Sequence, residues 1–292
     1  MFKIVEKRKL AAQIYLMDVE APRVAKSAKP GQFVIVKMDE KGERIPLTIC
    51  DYDADRGTVT IVFQTLGQST IGMAAYEAGD YFTDFAGPLG EASEFIYDDI
   101  DDLKKQRFVF VAGGVGTAPV YPQVKWLQQR DVQVDVIIGA RSRDFVILEA
   151  EMKALGANVY VTTDDGSYSR KGLVTDVLKG LIDGGVTYDH VVAIGPMIMM
   201  KFVSRLTKDY NIKTTISLNP IMVDGTGMCG ACRVTVGNEI KFACVDGPEF
   251  DGHLVDFDEA MRRQTMYKTE EGRCMLEAEK TSHTGGCCGG NK

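Results

Sequence analysis

The sequence predicts a β + α/β protein: an N-terminal antiparallel β-barrel, then a doubly wound parallel-sheet domain, then a small C-terminal cysteine-rich segment. Three observations support this prediction. Short alternating strands fill residues 1–98, strand and helix patterns alternate over 99–219, and three of the seven cysteines fall within 220–250. We also expect a helical segment over 251–280 and a disordered glycine-rich tail over 281–292.

The first part of the chain has the alternation of apolar and polar residues that is typical of β-strands. It is regular over 3–10, 13–19 and 32–38, and less regular over 58–64 and 81–86. Turn sequences rich in Gly, Pro and Asp separate these runs, with no helical period between them. Residues 1–98 are therefore predicted to form an antiparallel barrel.

Two stretches of the predicted barrel carry groups suited to bind a phosphate or a ring system. The sequence over 44–50 ends one predicted strand, and the sequence over 67–72 follows another. Hydroxyl and N–H groups there could bind phosphate, and Arg44 could form a bidentate contact. Thr48 could instead be an ordinary strand residue, and Arg44 a solvated one. The candidate contacts are Arg44, Pro46, Leu47, Thr48, Ile49, Val62, Phe63, Gln64, Gly67, Ser69 and Thr70.

From about residue 99 the pattern changes. A nearly continuous apolar run over 106–114 ends in glycines, as expected of a buried parallel strand. Helical patterns over 119–129, 148–155, 174–181 and 197–210 then alternate with strand patterns over 132–141, 158–163, 190–195 and 213–218. This alternation predicts a doubly wound sheet with ligands at the carboxyl ends of its strands.

The loop over 113–119 joins a predicted strand to a helix, where glycines let the backbone approach a pyrophosphate. It lacks the G-x-G-x-x-G spacing and would be a weak signal alone. Three other strands end in comparable sequences at the same edge, so together they predict a nicotinamide nucleotide site. The candidate contacts are Gly114, Val115, Gly116, Thr117, Ala118, Gly139, Ala140, Arg141, Asp164, Asp165, Gly195, Pro196 and Met197.

The third part is organised by Cys229, Cys232 and Cys244, which are separated by two and by eleven residues. A plant-type 2Fe-2S cluster uses C-x₄-C-x₂-C and a distant fourth cysteine. Asp224 stands at the first position of that pattern. Glycines between the ligands would bring backbone N–H donors close to bridging sulfides. The spacing predicts a 2Fe-2S site with three thiolates and one carboxylate.

Two alternatives use the same residues. A zinc site would need Cys or His as its fourth ligand, and His253 could serve, but zinc does not require the glycines before Cys229. Asp224 could also be a turn residue, since Asp-Gly is a common turn dipeptide.

Composition restricts the function further. The hydrophobic content of 45% and the charged content of 26% are those of an ordinary globular protein. A net charge of −7 disfavours nucleic acid or an anionic membrane as a partner. No apolar run approaches the roughly 20 residues of a membrane span. We expect no signal peptide, and the seven cysteines fit no disulfide framework, so we expect a cytoplasmic protein.

With these motifs in this order, residues 1–280 resemble the ferredoxin reductase-type flavoproteins. The resemblance rests on Arg-Ile-Pro-Leu-Thr-Ile, Gly-Gly-Val-Gly-Thr-Ala-Pro, Asp-Asp-Gly-Ser, Gly-Pro-Met and Asp-Gly-Thr-Gly-Met-Cys-Gly-Ala-Cys. Within that group the chain is similar to the electron-transfer subunits of dihydroorotate dehydrogenase. It is also similar to the small subunits of NADH-dependent ferredoxin:NADP⁺ oxidoreductase, also called sulfide dehydrogenase. Asp224 matches the second group, because the dihydroorotate relatives have cysteine there.

The resemblance implies a barrel that binds FAD, an α/β domain that binds NAD(H), and a 2Fe-2S cluster held by Asp224 and three cysteines. Thr48 would hydrogen-bond the flavin edge, where a hydride is exchanged with the nicotinamide. The implied partner is a larger FAD and iron–sulfur flavoprotein, through which electrons reach ferredoxin in a bifurcating reaction. One departure concerns the phosphate-binding Arg of the family, whose place is taken by Ile45, with Arg44 one residue earlier.

Other functions stay open at this stage. The chain could be a reductase subunit for sulfide or dihydroorotate oxidation, or a redox sensor or zinc-stabilised binding module without catalysis. Arg141 could contact a 2′-phosphate or a ribose, so the sequence does not choose between NAD and NADP. Cys50 could lie near the flavin or fill the barrel, and Cys287 and Cys288 could bind metal or be incidental thiols.

Overall fold

The computed structural model describes residues 1–273. The predicted tail over 281–292, with Cys287 and Cys288, lies outside the described residues, as does the end of the predicted helical segment over 251–280. No helix in the described part of the chain combines the length and the apolar character that crossing a membrane would take.

The first layer is an antiparallel sheet of seven strands in the spatial order β6-β1-β2-β5-β4-β3-β7. Its strands are β1 (Phe2–Ala11), β2 (Ile14–Glu20), β3 (Phe33–Lys37), β4 (Ile45–Asp53), β5 (Thr58–Gln64), β6 (Tyr81–Phe82) and β7 (Asp84–Leu89). Two short helices accompany them, α1 (Pro22–Ser27) and α2 (Gln68–Met73). Only Thr83 separates the two edge strands along the chain, and the sheet curls into a nearly closed barrel whose edge strands β6 and β7 are not paired with each other.

The second layer is a sheet of seven strands in the order β11-β10-β9-β8-β12-β13-β16. Its strands are β8 (Phe108–Gly113), β9 (Val134–Ala140), β10 (Asn158–Thr163), β11 (Arg170–Lys171), β12 (His190–Ile194), β13 (Lys213–Ser217) and β16 (Glu249–Asp251). Its helices are α3 (Ile100–Leu103), α4 (Thr117–Gln128), α5 (Glu149–Ala154), α6 (Val174–Asp183) and α7 (Met197–Asp209). Apolar cores lie on both faces, so the prediction of a doubly wound sheet is confirmed.

Three further elements lie outside the two large sheets. β14 (Arg233–Val236) and β15 (Glu239–Phe242) form an antiparallel hairpin, and α8 (Phe257–Arg263) packs against β14 and α7. β16, which the sequence pattern did not predict, pairs antiparallel with β13, so the chain returns to the second sheet after the hairpin. The prediction that 44–50 ends a strand was wrong, because β4 begins at Ile45.

The barrel and the second sheet are packed against each other through β4 and α4. Cys50 on β4 is buried in an apolar cluster that also contains Ala118 of α4. Beside it, Lys125 Nζ lies 2.8 Å from both carboxylate oxygens of Asp51. Cys50 therefore fills the junction, and its burial, together with the Asp51 charge, raises the pKa of its thiol.

Candidate cofactor sites

The cysteine loop, residues 222–232, connects β13 to β14 and lies against the barrel. Gly225 has a φ of +77°, and a Cβ there would lie 2.9 Å from Cγ1 of Ile35 on β3. A larger residue would meet both backbone strain and a steric clash. Glycine is thus required for the loop to approach β3, the strand that pairs with β4.

Asp224 lies in this loop, where its carboxylate contacts groups of the loop itself. Its two oxygens accept hydrogen bonds from the N–H groups of Thr226 and Met228, at 3.2 and 3.0 Å. The thiol of Cys229 donates to the same carboxylate, with Sγ 3.2 Å from Oδ1. Desolvation opposes ionisation, but these hydrogen bonds, led by that of Cys229, lower the pKa of Asp224 to about 2.

Cys232 and Cys244 form a second pair, with their sulfur atoms 3.3 Å apart. They flank the β14–β15 hairpin, and both are buried, whereas Cys229 is exposed. Burial, followed by the contact with the Cys232 thiol, raises the pKa of Cys244 to about 12. Both sulfurs belong to the apolar core between the hairpin and the second sheet.

The four predicted ligands are thus arranged as two pairs rather than one quartet. Within residues 1–273, no group of three or more His, Cys, Asp or Glu side chains converges on one metal position. A 2Fe-2S cluster has two irons, each of which takes two protein ligands. The two pairs fit such a cluster better than a single zinc ion. His253 is engaged elsewhere, since its Nε2 lies 3.1 Å from Oγ1 of Thr207.

Two arginines from different parts of the chain bind the backbone of the cysteine loop. Arg44 donates to the carbonyl oxygens of Val223 and Asp224 at 3.2 and 3.0 Å. Arg263 of α8 donates to the carbonyl oxygen of Ala231 at 3.1 Å. Sequence reasoning considered Arg44 as a phosphate contact or a solvated residue and missed Arg263, because neither contact leaves a local sequence signal.

The predicted nucleotide residues lie together at the carboxyl ends of β8, β9, β10 and β12, four neighbouring strands. Gly116 is tightly packed, since a Cβ there would lie 2.3 Å from the carbonyl oxygen of Ile194. Gly114 has a φ of +57° and open space where a Cβ would project. A pyrophosphate could therefore approach the backbone at Gly114 and reach the start of α4.

The other loops of this edge are joined by backbone hydrogen bonds. The N–H groups of Asp164 and Asp165 donate to the carbonyl oxygens of Ala140 and Arg141, at 3.1 and 3.3 Å. Gly139 has a packing role, because a Cβ there would lie 2.4 Å from Cγ1 of Val174 on α6. The loops after β9 and β10 are thus joined to each other at the predicted nucleotide edge.

The predicted flavin contacts fall into two groups, one half-buried or open and one buried. Pro46, Leu47 and Thr48 are half-buried on β4, and Gly67 has open space around it. The side chains of Ile49, Val62 and Phe63 are buried in apolar clusters, so a cofactor could reach these residues only through their backbone. Thr70 Oγ1 accepts the Gly67 N–H at 3.2 Å, and Ser69 donates to Glu43. The half-buried stretch beside an open glycine fits the edge of a flavin.

A junction that sequence reasoning missed involves Glu249 on β16. Its Oε1 accepts hydrogen bonds from Ser93 Oγ at 3.0 Å and from Nε2 of the buried Gln123 on α4 at 2.8 Å. Burial raises the pKa of Glu249 to about 7, although both hydrogen bonds oppose that shift. One carboxyl therefore links α4, the segment after the barrel and the strand after the cysteine loop.

Comparisons with known proteins agree with this geometry. Residues 219–256 match the family model of the iron-sulfur cluster binding domain of dihydroorotate dehydrogenase B. Residues 110–205 match that of the oxidoreductase NAD-binding domain. The two matches cover the cysteine loop with its hairpin and the four loops of the nucleotide edge.

Whole-chain relatives extend the likeness to the barrel. A Clostridium beijerinckii protein, called an uncharacterized protein in adh 3′ region, is 64% identical over all of both chains. A Thermotoga maritima homologue of the electron transfer subunit of dihydroorotate dehydrogenase B (NAD⁺) is 43% identical, over 92% of each chain.

A solved structure of NADH-dependent reduced ferredoxin-NADP oxidoreductase, reported for its insights into flavin-based electron bifurcation, contains a chain that is 40% identical. The match covers 94% of this chain and 98% of that one, with a TM-score of 0.85. The chain belongs to the family of dihydroorotate dehydrogenase B electron transfer subunits and their homologues.

Proposed function

We propose that the chain is the electron-transfer subunit of an electron-bifurcating, NADH-dependent reduced ferredoxin:NADP⁺ oxidoreductase. The observation that carries this proposal is the pairing of Asp224 with Cys229 in a loop packed on the barrel. This loop would hold the cluster beside β3, the strand that pairs with β4, where the predicted flavin contacts lie. The overall likeness to a chain of such an oxidoreductase supports it.

The residues of this chain bind and orient the cofactors. FAD takes up electrons in pairs, as a hydride from NADH, and a 2Fe-2S cluster carries them singly. Thr48 would orient the flavin edge through its hydroxyl, and the backbone at Gly114 would hold the pyrophosphate of NAD(H). Gly225 brings the cysteine loop against Ile35, which pairs with Pro46 on β4. The residues that would hold the flavin and those that would hold the cluster thus lie at adjacent strands of the barrel, β4 and β3.

The alternative is a reductase subunit of a sulfide or dihydroorotate dehydrogenase-type complex. It is supported by the relatives described as dihydroorotate dehydrogenase B electron transfer subunits and by the match of the cluster domain. Asp224 favours the bifurcating enzyme, because the resemblance implies aspartate at this position in its small subunits and cysteine in the dihydroorotate subunits.

Either function needs a second subunit. We infer that the partner is a larger flavoprotein with its own FAD and iron–sulfur clusters, and that ferredoxin exchanges electrons with that subunit. The two would form a heterodimer or a higher complex in the cytoplasm. We infer that this chain's own site takes NAD(H), because the similar solved structure is that of an NADH-dependent oxidoreductase.

Anaerobic titration of the purified chain with NADH, and separately with NADPH, tests the proposal. We expect NADH to bleach the flavin absorption and then the cluster absorption, and NADPH to do so much less effectively. A colourless protein that contains zinc would contradict the proposal. So would a flavin that NADH leaves oxidised.

A further inference from the structure

Arg44 precedes β4, but its side chain leaves the barrel and reaches the cysteine loop. Nε and Nη2, on one edge of the guanidinium, donate to the carbonyl oxygens of Val223 and Asp224 at 3.2 and 3.0 Å. Nη1 lies 3.3 Å from Oδ2 of Asp84, at the start of β7. The planar group therefore spans two successive peptides and is oriented by an ion pair.

These contacts bind Asp224 from two sides. Its carbonyl oxygen is bound by Arg44, and its carboxylate is bound by the N–H groups of Thr226 and Met228 and faces Cys229. The peptide from which the carboxylate projects is thus attached to the barrel. A lysine could make one of the two carbonyl contacts, but it has no planar edge to make both.

The charge of Arg44 matters as well as its geometry. Its side chain is 34% exposed, so solvent screens the guanidinium only partly. Reduction adds one negative charge to a 2Fe-2S cluster, and a nearby positive charge stabilises that reduced form. Removal of the guanidinium should therefore lower the reduction potential of the cluster.

We propose that Arg44 is a positioning residue for the cluster: its two carbonyl contacts fix the Asp224 ligand, and its charge raises the reduction potential. Because Pro46, Leu47 and Thr48 follow on β4, the same residue connects the predicted flavin strand to the cysteine loop. This inference rests on the proposed function, since it requires that the chain binds the cluster.

The test compares Arg44→Met and Arg44→Lys with Arg56→Met in the full chain with its cofactors bound. Arg56 follows the far end of β4 and is exposed, so its loss changes net charge equally. We expect Arg44→Met to lower the cluster potential in an EPR-monitored redox titration. We also expect it to release iron to a chelator about tenfold faster, as loss of charge-assisted hydrogen bonds implies.

Arg44→Lys separates the effect of the charge from that of the two carbonyl contacts. It also provides a test if the methionine variant does not fold. It should keep a potential near that of the wild type, because the charge remains, yet it should release iron faster than Arg56→Met. FAD content should be unchanged in both Arg44 variants.

Three outcomes would overturn the inference. If both Arg44 variants match Arg56→Met in potential and in iron release, Arg44 has no role at the cluster. If they lose FAD while an unaltered cluster remains, Arg44 binds the FAD pyrophosphate instead. If wild-type protein binds FAD but no iron, the proposed function fails together with this inference.

Discussion

The two pairs of predicted cluster ligands have similar separations, 3.2 and 3.3 Å, but differ in burial and in their surroundings. Cys232 and Cys244 are buried, lie 3.3 Å apart and belong to the core under the hairpin. Asp224 and Cys229 lie in an exposed glycine-rich loop, where N–H groups satisfy the carboxylate. The buried pair is part of the folded core, whereas the exposed pair depends on its loop. The first should determine whether a cluster binds, and the second should tune its potential.

The buried and the exposed pair also differ in protonation. Without a cluster, burial raises the pKa of Cys244 to about 12, so this thiol is protonated at neutral pH. Asp224 is already ionised, because hydrogen bonds lower its pKa to about 2 despite desolvation. Cluster insertion must therefore displace a proton from Cys244 but none from Asp224, and it should become more favourable as pH rises.

The largest effect should follow removal of a buried ligand. We expect Cys232→Ser or Cys244→Ser to reduce iron and acid-labile sulfide to near zero while FAD stays bound. Cys50→Ala is the matched control, since that thiol is also buried but lies between β4 and α4. The measurement is iron, sulfide and flavin per chain. Full iron content in either serine variant would contradict the assigned role of the buried pair.

A smaller effect should follow from backbone strain in the loop that carries Asp224 and Cys229. Gly225→Ala forces a Cβ to a φ of +77° and to 2.9 Å from Ile35, whereas Gly237→Ala meets a φ of +63° with open space. Backbone strain alone should cost each variant about 1–2 kcal/mol. Both variants should therefore unfold at a lower temperature than wild type. Only Gly225→Ala should also release iron to a chelator faster. Equal iron release would mean that the loop does not need its approach to β3.

The smallest effect concerns Glu249, which contacts neither pair. Its pKa of about 7 in the folded protein lies above the ordinary 4.5, so between these pH values the folded state binds a proton at Glu249 that the unfolded state has lost. Its contribution to stability is therefore full below about pH 4.5 and is lost as pH rises to about 7. Ser93, Gln123 and Glu94 are the groups that face it.

Glu249→Gln should make stability depend less on pH. The variant should have a higher unfolding temperature than wild type at pH 8, and the difference between the two proteins should be smaller at pH 5. Cluster insertion should keep its own pH dependence in this variant, because that arises at Cys244. The assigned protonation of Glu249 would be contradicted if wild type became more stable relative to Glu249→Gln between pH 5 and pH 7.

The sequence predicted those features that depend on local pattern. The apolar run that became β8, the glycines of the cysteine loop and the position of Asp224 are all readable from spacing. What it did not predict depends on contacts between distant segments. Arg44 meets a loop 179 residues away, Glu249 meets Gln123 at a separation of 126, and β16 is too short to show a period.

Iron ligation by Asp224 is the central claim, and an EPR-monitored redox titration of wild-type protein and Asp224→Cys tests it most directly. We predict one reduced 2Fe-2S signal per chain in both, with a shift of potential and g-values in the variant, because a thiolate replaces a carboxylate on one iron. Identical spectra and potentials in the two proteins would show that Asp224 is not a ligand.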